Sequence, residues 1–168
     1  MYSLITYGYH LEELVDLVFF QEPSNDYYEI LLHHLATVVL YLGMIGNNSL
    51  NAAAMCAWFH TIADVFVYTT KILSQTTFSK LNYFPFALMI LSWFWTRLVV
   101  VQWFAWATFK FYTFPPQFAA YESICTIMTL LGFILCMLHF YWFALFMKIL
   151  HAVIFKGNTE DLIHKTGK

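Results

Sequence analysis

The sequence predicts an all-α, polytopic membrane protein, a transmembrane bundle of about five spanning helices. Of its 168 residues, 61% are hydrophobic and only 11% are charged, less than half of the roughly 25% charged residues typical of soluble domains. Apolar stretches of about 20 residues, long enough to cross a bilayer as a helix, recur along the chain. Turn-forming residues separate these stretches. A chain of this size has no soluble core large enough for so much apolar surface, so lipid is expected to cover it.

The apolar stretches follow one another with short breaks. The first is the least apolar, because Glu12, Glu13 and Asp16 interrupt it. The fourth is longer than the bilayer is thick, and we predict that it is tilted. The predicted spans are residues 2–20, 27–45, 50–73, 83–109 and 123–154.

One transmembrane domain is predicted over residues 1–155, followed by a polar C-terminal tail over residues 156–168. With five spans, the loop after the third span and the tail lie on the same side of the membrane. Both carry lysines, which mark the cytosolic side. The C-terminus is therefore predicted to be cytosolic. The lysines concerned are Lys71, Lys80, Lys148, Lys156, Lys165 and Lys168.

Two function classes are disfavoured by composition. The net charge is −2, and no basic patch indicates a nucleic-acid partner. The three cysteines, Cys56, Cys125 and Cys136, lie inside apolar stretches and form no CxxC motif. They are interpreted as packing residues rather than as a redox site.

A pair of histidines, His33-His34, lies in the middle of the second predicted span. Glu29, His33 and Thr37 are spaced four residues apart, so they share one face of the helix. Ionisable groups inside a bilayer are costly and need a partner, a water-filled cavity or a function. The pair is therefore a candidate functional site.

The next span carries a second polar stripe, in which His60, Asp64 and Lys71 are joined by Tyr68. Asp64 is positioned to accept a hydrogen bond from His60 or from a histidine of the second span. A carboxylate beside an imidazole fixes its tautomer and raises its basicity. This is what a general base or a nucleophilic imidazole requires.

Two other interpretations remain open. Histidine, threonine and aspartate can also join helices without any chemistry, and this structural role is assigned to His139 and His151. Arg97, deep in the fourth span, is expected to pair with an acid of the bundle or to contact substrate. A metal site built from His33, His34, His60 and Asp64 is the third interpretation. Their spacing matches no recognised ligand pattern, so no metal is predicted.

The motifs together resemble the TLC (TRAM–LAG1–CLN8) domain family, and specifically its ceramide synthase branch. The resemblance covers nearly the whole chain and is strongest in the second and third spans. It rests on Asp26 and Glu29 before His33-His34 and Thr37, on His60 and Asp64 followed by Lys71, on Thr96-Arg97, and on Leu138-His139-Phe140-Tyr141-Trp142.

The sequence departs from the family pattern in three respects. Thr61 stands where the family usually has an aspartate, and Tyr68 stands where many members have glutamate. The family domain has six helices around a chamber, whereas five are predicted here. The first domain helix is therefore expected to be missing, which would leave the chamber open on one side.

The resemblance implies N-acylation of a sphingoid base by a fatty acyl-CoA, in the endoplasmic reticulum membrane, with the acyl-CoA as co-substrate and no other cofactor. Membrane lipids are implied partners, and homo- or hetero-oligomers are compatible with it. The alternative is a non-catalytic family member that binds lipids or serves as a subunit of a membrane complex. The implied catalytic residues are His33, His34, His60 and Asp64. The implied substrate-binding residues are Glu29, Thr37, Tyr68, Lys71 and Arg97.

Overall fold

A computed structural model describes residues 2–46, 49–74, 83–111 and 119–156, and over this part of the chain the secondary structure is helical without strands. The predicted all-α class is confirmed. The helices are α1 (Tyr2–Phe19), α2 (Tyr27–Gly46), α3 (Leu50–Ser74), α4 (Tyr83–Trp93), α5 (Val101–Phe111) and α6 (Ala119–Lys156), with a π-helical segment (Phe94–Val100) joining α4 to α5.

Four of these helical stretches are long and apolar enough to cross a membrane: Tyr27–Gly46, Leu50–Leu73, Tyr83–Ala107 and Ser123–Phe155. They match the second to fifth predicted spans. The first predicted span is a helix, α1, but its acidic residues keep it outside this group of four. Lys80 and residues 157–168 of the predicted tail lie outside the described residues.

Contacts between the helices form a closed circuit. Helix α2 packs against α6, and α6 packs against the π-helical segment and α5. Helix α4, which continues into that segment, packs against α3, and α3 packs against α2. Helix α1 covers the side where α2 and α3 meet and contacts both. The missing first helix of the family domain stays a prediction.

Small residues bring α2 close to α6. Ala36 is fully buried and packs with Leu135 and Leu138 of α6. A Cβ atom at Gly43 would overlap the side chain of Met128. Side chains this small allow close approach of helix backbones, which is the main source of packing attraction in lipid.

The interface of α2 with α3 also depends on small residues that allow close approach of the helices. Ala53 and Ala57 are buried against the ring of Tyr41, whose hydroxyl donates a hydrogen bond to the Ala53 carbonyl at 3.5 Å. A polar ring end inside the bundle is thus satisfied by backbone of the neighbouring helix.

The π-helical segment widens the helix in the middle of the fourth span. The Val101 N–H bonds to the Thr96 carbonyl, five residues back, and the Gln102 side chain donates to the Arg97 carbonyl at 3.3 Å. Such π turns occur frequently at functional sites. Here the wide turn carries Arg97, whose side chain is only 3% exposed.

Replacing Ala36 with leucine is expected to separate α2 from α6, because the added carbon atoms have no space beside Leu135 and Leu138. Overpacking of this kind costs about 1–3 kcal/mol. Thermal unfolding of the purified protein in detergent should show a lower Tm for Ala36→Leu. Ala144→Leu, on an exposed position of α6, should unfold like the wild type. Equal Tm values for both variants would contradict the packing described here.

Candidate active site

The most buried charge of the site is the guanidinium of Arg97. Its Nη2 lies 2.5 Å from Asp64 Oδ1 and donates to the His60 carbonyl at 3.2 Å. Its Cζ lies 4.4 Å from the centre of the Trp93 ring. The predicted pairing of Arg97 with an acid of the bundle is confirmed, and it joins the fourth span to α3.

The expected contact between Asp64 and a histidine is not formed among the described residues. Asp64 pairs with Arg97 instead, because a permanently charged guanidinium attracts a carboxylate more strongly than a neutral imidazole does. His60 turns its Nδ1 to the Cys56 carbonyl, 2.8 Å away on its own helix. Since a carbonyl only accepts, Nδ1 carries the proton and Nε2 is the basic nitrogen of His60.

Three histidines from three helices meet beside this ion pair. The ring centre of His139 on α6 lies 5.2 Å from that of His60 on α3 and 6.2 Å from that of His33 on α2. His139 is completely buried, and its Nε2 lies 3.5 Å from Nη1 of Arg97. The Nδ1 atoms of His33 and His139 are buried without a hydrogen-bond partner. Because Arg97 only donates, Nε2 of His139 accepts and its Nδ1 carries the proton, which it can donate to a polar ligand.

Tryptophan rings form one wall of this histidine cluster, which comprises His33, His60 and His139. Trp142 packs edge-on to His33 with ring centres 5.2 Å apart. Trp93 packs edge-on to His139 at 6.2 Å and donates its indole N–H to the His139 carbonyl at 3.3 Å. The cluster thus contacts both the buried ion pair and aromatic rings.

The two members of the histidine pair face different neighbours. Successive side chains on a helix point about 100° apart, so His34 turns towards α1 while His33 joins the histidine cluster. His34 Nδ1 lies 3.7 Å from Glu13 Oε2, and His10 Nδ1 lies 3.3 Å from the same oxygen. The carboxylate beside the histidine pair is therefore Glu13, a residue that the sequence prediction did not include.

The remaining predicted site residues are spread around these two groups. Tyr68 donates to Glu13 Oε1 at 3.4 Å. Thr37 is buried next to the histidine pair, and its hydroxyl has no hydrogen-bond partner. Glu29 is half-buried in the first turn of α2, and Lys71 is exposed near the end of α3. The set His33, His34, His60 and Asp64 forms no metal-ligand group in the described part of the chain.

The sequence prediction assigned His139 a structural role, and the structure places its ring beside those of His33 and His60. Its signal was the LHFYW segment of the last span. The prediction also missed His10 and Glu13, whose spacing of three residues in an otherwise apolar stretch places them on one helix face. Thr61, at the departure from the family pattern, is exposed and donates its hydroxyl to the Ala57 carbonyl at 2.9 Å.

The fold and site define a polytopic helical membrane protein with a buried cluster of histidines and a buried ion pair. The TLC domain (TRAM–LAG1–CLN8) profile matches residues 1–148, most of the chain. The chain therefore belongs to the TLC domain family.

Similar proteins include ceramide synthase 4 of Mus musculus, 28% identical over 95% of this chain, and ceramide synthase hyl-2 of Caenorhabditis elegans, 22% identical over 96%. Sphingosine N-acyltransferase LAG1 of Saccharomyces cerevisiae is 24% identical over 84% of the chain. The aligned regions cover 40%, 51% and 36% of these relatives, so the chain spans about half of their length or less. No solved structure matches this chain.

Replacing Arg97 with methionine is expected to lower the free energy of unfolding by about 3 kcal/mol. This is the lower end for a broken buried ion pair, because the Asp64 side chain is 39% exposed. Asp64→Asn together with Arg97→Met should cost less than the sum of the single changes, since no charge is left unpaired. The free energy of unfolding is measured in detergent for the two single variants and for the double variant. Lys148→Met, at an exposed cation of α6, is the control, and additive losses would show that the pair is not coupled.

Proposed function

We propose that this protein is an N-acyltransferase that joins the acyl group of a fatty acyl-CoA to the amine of a sphingoid base. The observation that supports this most strongly is the meeting of His33, His60 and His139 inside a bundle of membrane helices. Lipid substrates require a reaction site at membrane depth, and ionisable groups at that depth are functional candidates by default. The similarity to ceramide synthases names the substrate classes.

The reaction needs a group that takes a proton. A sphingoid amine is protonated at neutral pH and must lose a proton before it can attack a thioester. His60 is suited to accept it, because the Cys56 carbonyl holds its Nδ1–H and leaves Nε2 basic. The amine nitrogen then forms a bond to the acyl carbon, and the carbon–sulfur bond breaks. The second proton that the nitrogen loses passes to the leaving thiolate of CoA, and His60 releases the first proton after turnover.

A covalent route is the second form of the same proposal. The Nδ1 of His33 is buried without a partner, so this imidazole is available to attack the thioester itself. This attack joins the His33 nitrogen to the acyl carbon, breaks the carbon–sulfur bond and releases the CoA thiolate. The amine then displaces the imidazole from the acyl carbon and gives up two protons, one to His60 and one to the thiolate. Both routes use the same cluster and give the same products.

The other groups are assigned supporting roles in this proposal. Arg97 holds Asp64 and contacts His139 Nε2, and it fixes the positions of both within the bundle. Glu29, Thr37 and Tyr68 are proposed to contact the lipid substrates. Lys71, exposed near the end of α3, is proposed to attract the anionic CoA from the cytosolic side. The proposal places the protein in the endoplasmic reticulum membrane with a cytosolic C-terminus, alone or in oligomers.

One observation favours a different function. Thr61 replaces the usual aspartate of the family motif, and its hydroxyl is bonded to its own helix. A family member without that carboxylate is a candidate for binding or handling lipids without turnover, or for a structural role in a membrane complex. Native lipid that co-purifies with the protein in the absence of acyl transfer would support this alternative.

Replacing the histidines with alanine distinguishes the proposed acyltransferase from the non-catalytic alternative. His33→Ala and His60→Ala are each expected to reduce ceramide formation by about 10²–10⁴-fold, the contribution of a positioned acid–base group. The assay uses purified protein, acyl-CoA and a sphingoid base, with His151→Ala as control, because His151 is exposed on α6 away from the cluster. Wild-type rates in both variants would overturn the assignment.

The same preparation tests the covalent route. Mass spectrometry of protein incubated with acyl-CoA alone should detect an acyl adduct on His33 if the imidazole is the nucleophile. Absence of any histidine adduct during active turnover would assign general-base catalysis instead.

A further inference from the structure

A second group of titratable side chains lies outside the histidine cluster, where α1 packs against α2. One ring nitrogen of His10, one ring nitrogen of His34 and a carboxylate oxygen of Glu13 all lie within 4.8 Å of one another. Two distances are shorter: 3.3 Å from Glu13 Oε2 to His10 Nδ1 and 3.7 Å to His34 Nδ1. We propose that His10, Glu13 and His34 form a binding site for a divalent transition metal, with Zn²⁺ the ion that fits best.

The spacing of the three atoms is that of ligands around one ion. Zinc binds imidazole nitrogen and carboxylate oxygen at about 2.0–2.2 Å in a tetrahedron, which sets neighbouring ligand atoms about 3.3–3.5 Å apart. The two measured contacts to Glu13 Oε2 lie close to this value. The distance between the two histidine nitrogens must shorten by at most about 1.5 Å to reach the same spacing, and side-chain rotation can supply this change.

The three groups do not satisfy each other by hydrogen bonds. His10 Nδ1 lies 3.3 Å from Glu13 Oε2 but makes no hydrogen bond to it, and His34 Nδ1, 3.7 Å away, is beyond hydrogen-bond distance. Both nitrogens are buried. Buried polar atoms are nearly always paired. Nitrogens that lie near an oxygen without pointing at it are expected where all three atoms point at a common centre.

The second oxygen of the carboxylate is held from outside the site. The hydroxyl of Tyr9 donates to Glu13 Oε1, and the hydroxyl of Tyr68 lies 3.4 Å from the same oxygen. These contacts turn Oε2 towards the two histidines. Outer hydrogen bonds of this kind commonly fix the orientation of a ligating carboxylate.

The donor set determines the type of metal. Two histidines and one carboxylate suit zinc and other first-row divalent ions, whereas Mg²⁺ and Ca²⁺ prefer oxygen ligands. Three protein ligands leave the fourth position of zinc open to water or a ligand. Bound metal would also tie α1, the least apolar helix, to the second span. The proposal does not depend on acyl transfer.

Metal content of the full chain, purified in detergent, tests the proposal. After equilibration with Zn²⁺ and removal of excess, elemental analysis should find about one equivalent of zinc per chain. His10→Ala, Glu13→Gln and His34→Ala should each lose most of it. Glu12→Gln and His151→Ala, which alter an exposed carboxylate of α1 and an exposed histidine of α6, should keep it.

A milder variant covers the case in which ligand substitutions disturb folding. Tyr9→Phe removes only the hydroxyl that orients Glu13, and it should weaken zinc affinity by about 10–100-fold. Tyr28→Phe, at an exposed tyrosine, is its control. Affinity is measured by competition with a chromophoric chelator, and Co²⁺ in place of Zn²⁺ should give the visible absorption of a tetrahedral site.

Two results would overturn the proposal: wild-type protein that retains no zinc, or zinc content unchanged in all three ligand variants, which would indicate an adventitious ion only. The His33→Ala variant separates this proposal from the proposed function, because it should lose acyl transfer and retain zinc.

Discussion

The buried guanidinium of Arg97 is the constraint on which the arrangement of the site depends. A charge that is 97% shielded from solvent needs several acceptors, and Arg97 obtains them from Asp64 and the backbone of His60. Its second nitrogen contacts His139, and Trp93 lies below its plane. Because these partners belong to α3, α4 and α6, one side chain fixes the relative positions of three helices. The wide π turn gives that side chain its place in the bundle.

The pairing of Asp64 with Arg97 determines which groups the histidines contact. Without a carboxylate partner, His60 takes its orientation from a backbone carbonyl of its own helix, which leaves a defined basic nitrogen. His33 and His139 keep unpartnered nitrogens inside the bundle. Buried polar atoms without partners are costly, so their presence in two neighbouring histidines argues for a ligand or a reaction rather than for stability. Alanine contacts at Ala36, Ala53 and Ala57 supply the close packing that offsets this cost.

Helix α1 carries two of the three residues of the candidate metal site, His10 and Glu13. It is the least apolar helix, and its acidic residues separate it from the four helical stretches that meet the criteria for a membrane span. One of those acids, Glu13, faces His34 and the hydroxyls of Tyr9 and Tyr68. The two histidines of the pair therefore lie in different sites. His33 belongs to the histidine cluster of the acyl-transfer proposal, and His34 belongs to the candidate metal site.

The sequence by itself determined the helical class, the positions of four of the five predicted membrane spans and the family, because apolar length and the spacing of polar residues along one helix are local properties. It also identified His33, His34, His60, Asp64 and Arg97 as unusual, since any ionisable group in an apolar stretch is conspicuous. Which of these groups touch was decided by tertiary structure alone. Asp64 could reach a histidine or Arg97, and only the packing of the π turn against α3 selected Arg97. The central place of His139 and the approach of Glu13 to His34 likewise depend on helices far apart in sequence, whose relative rotation no local pattern encodes.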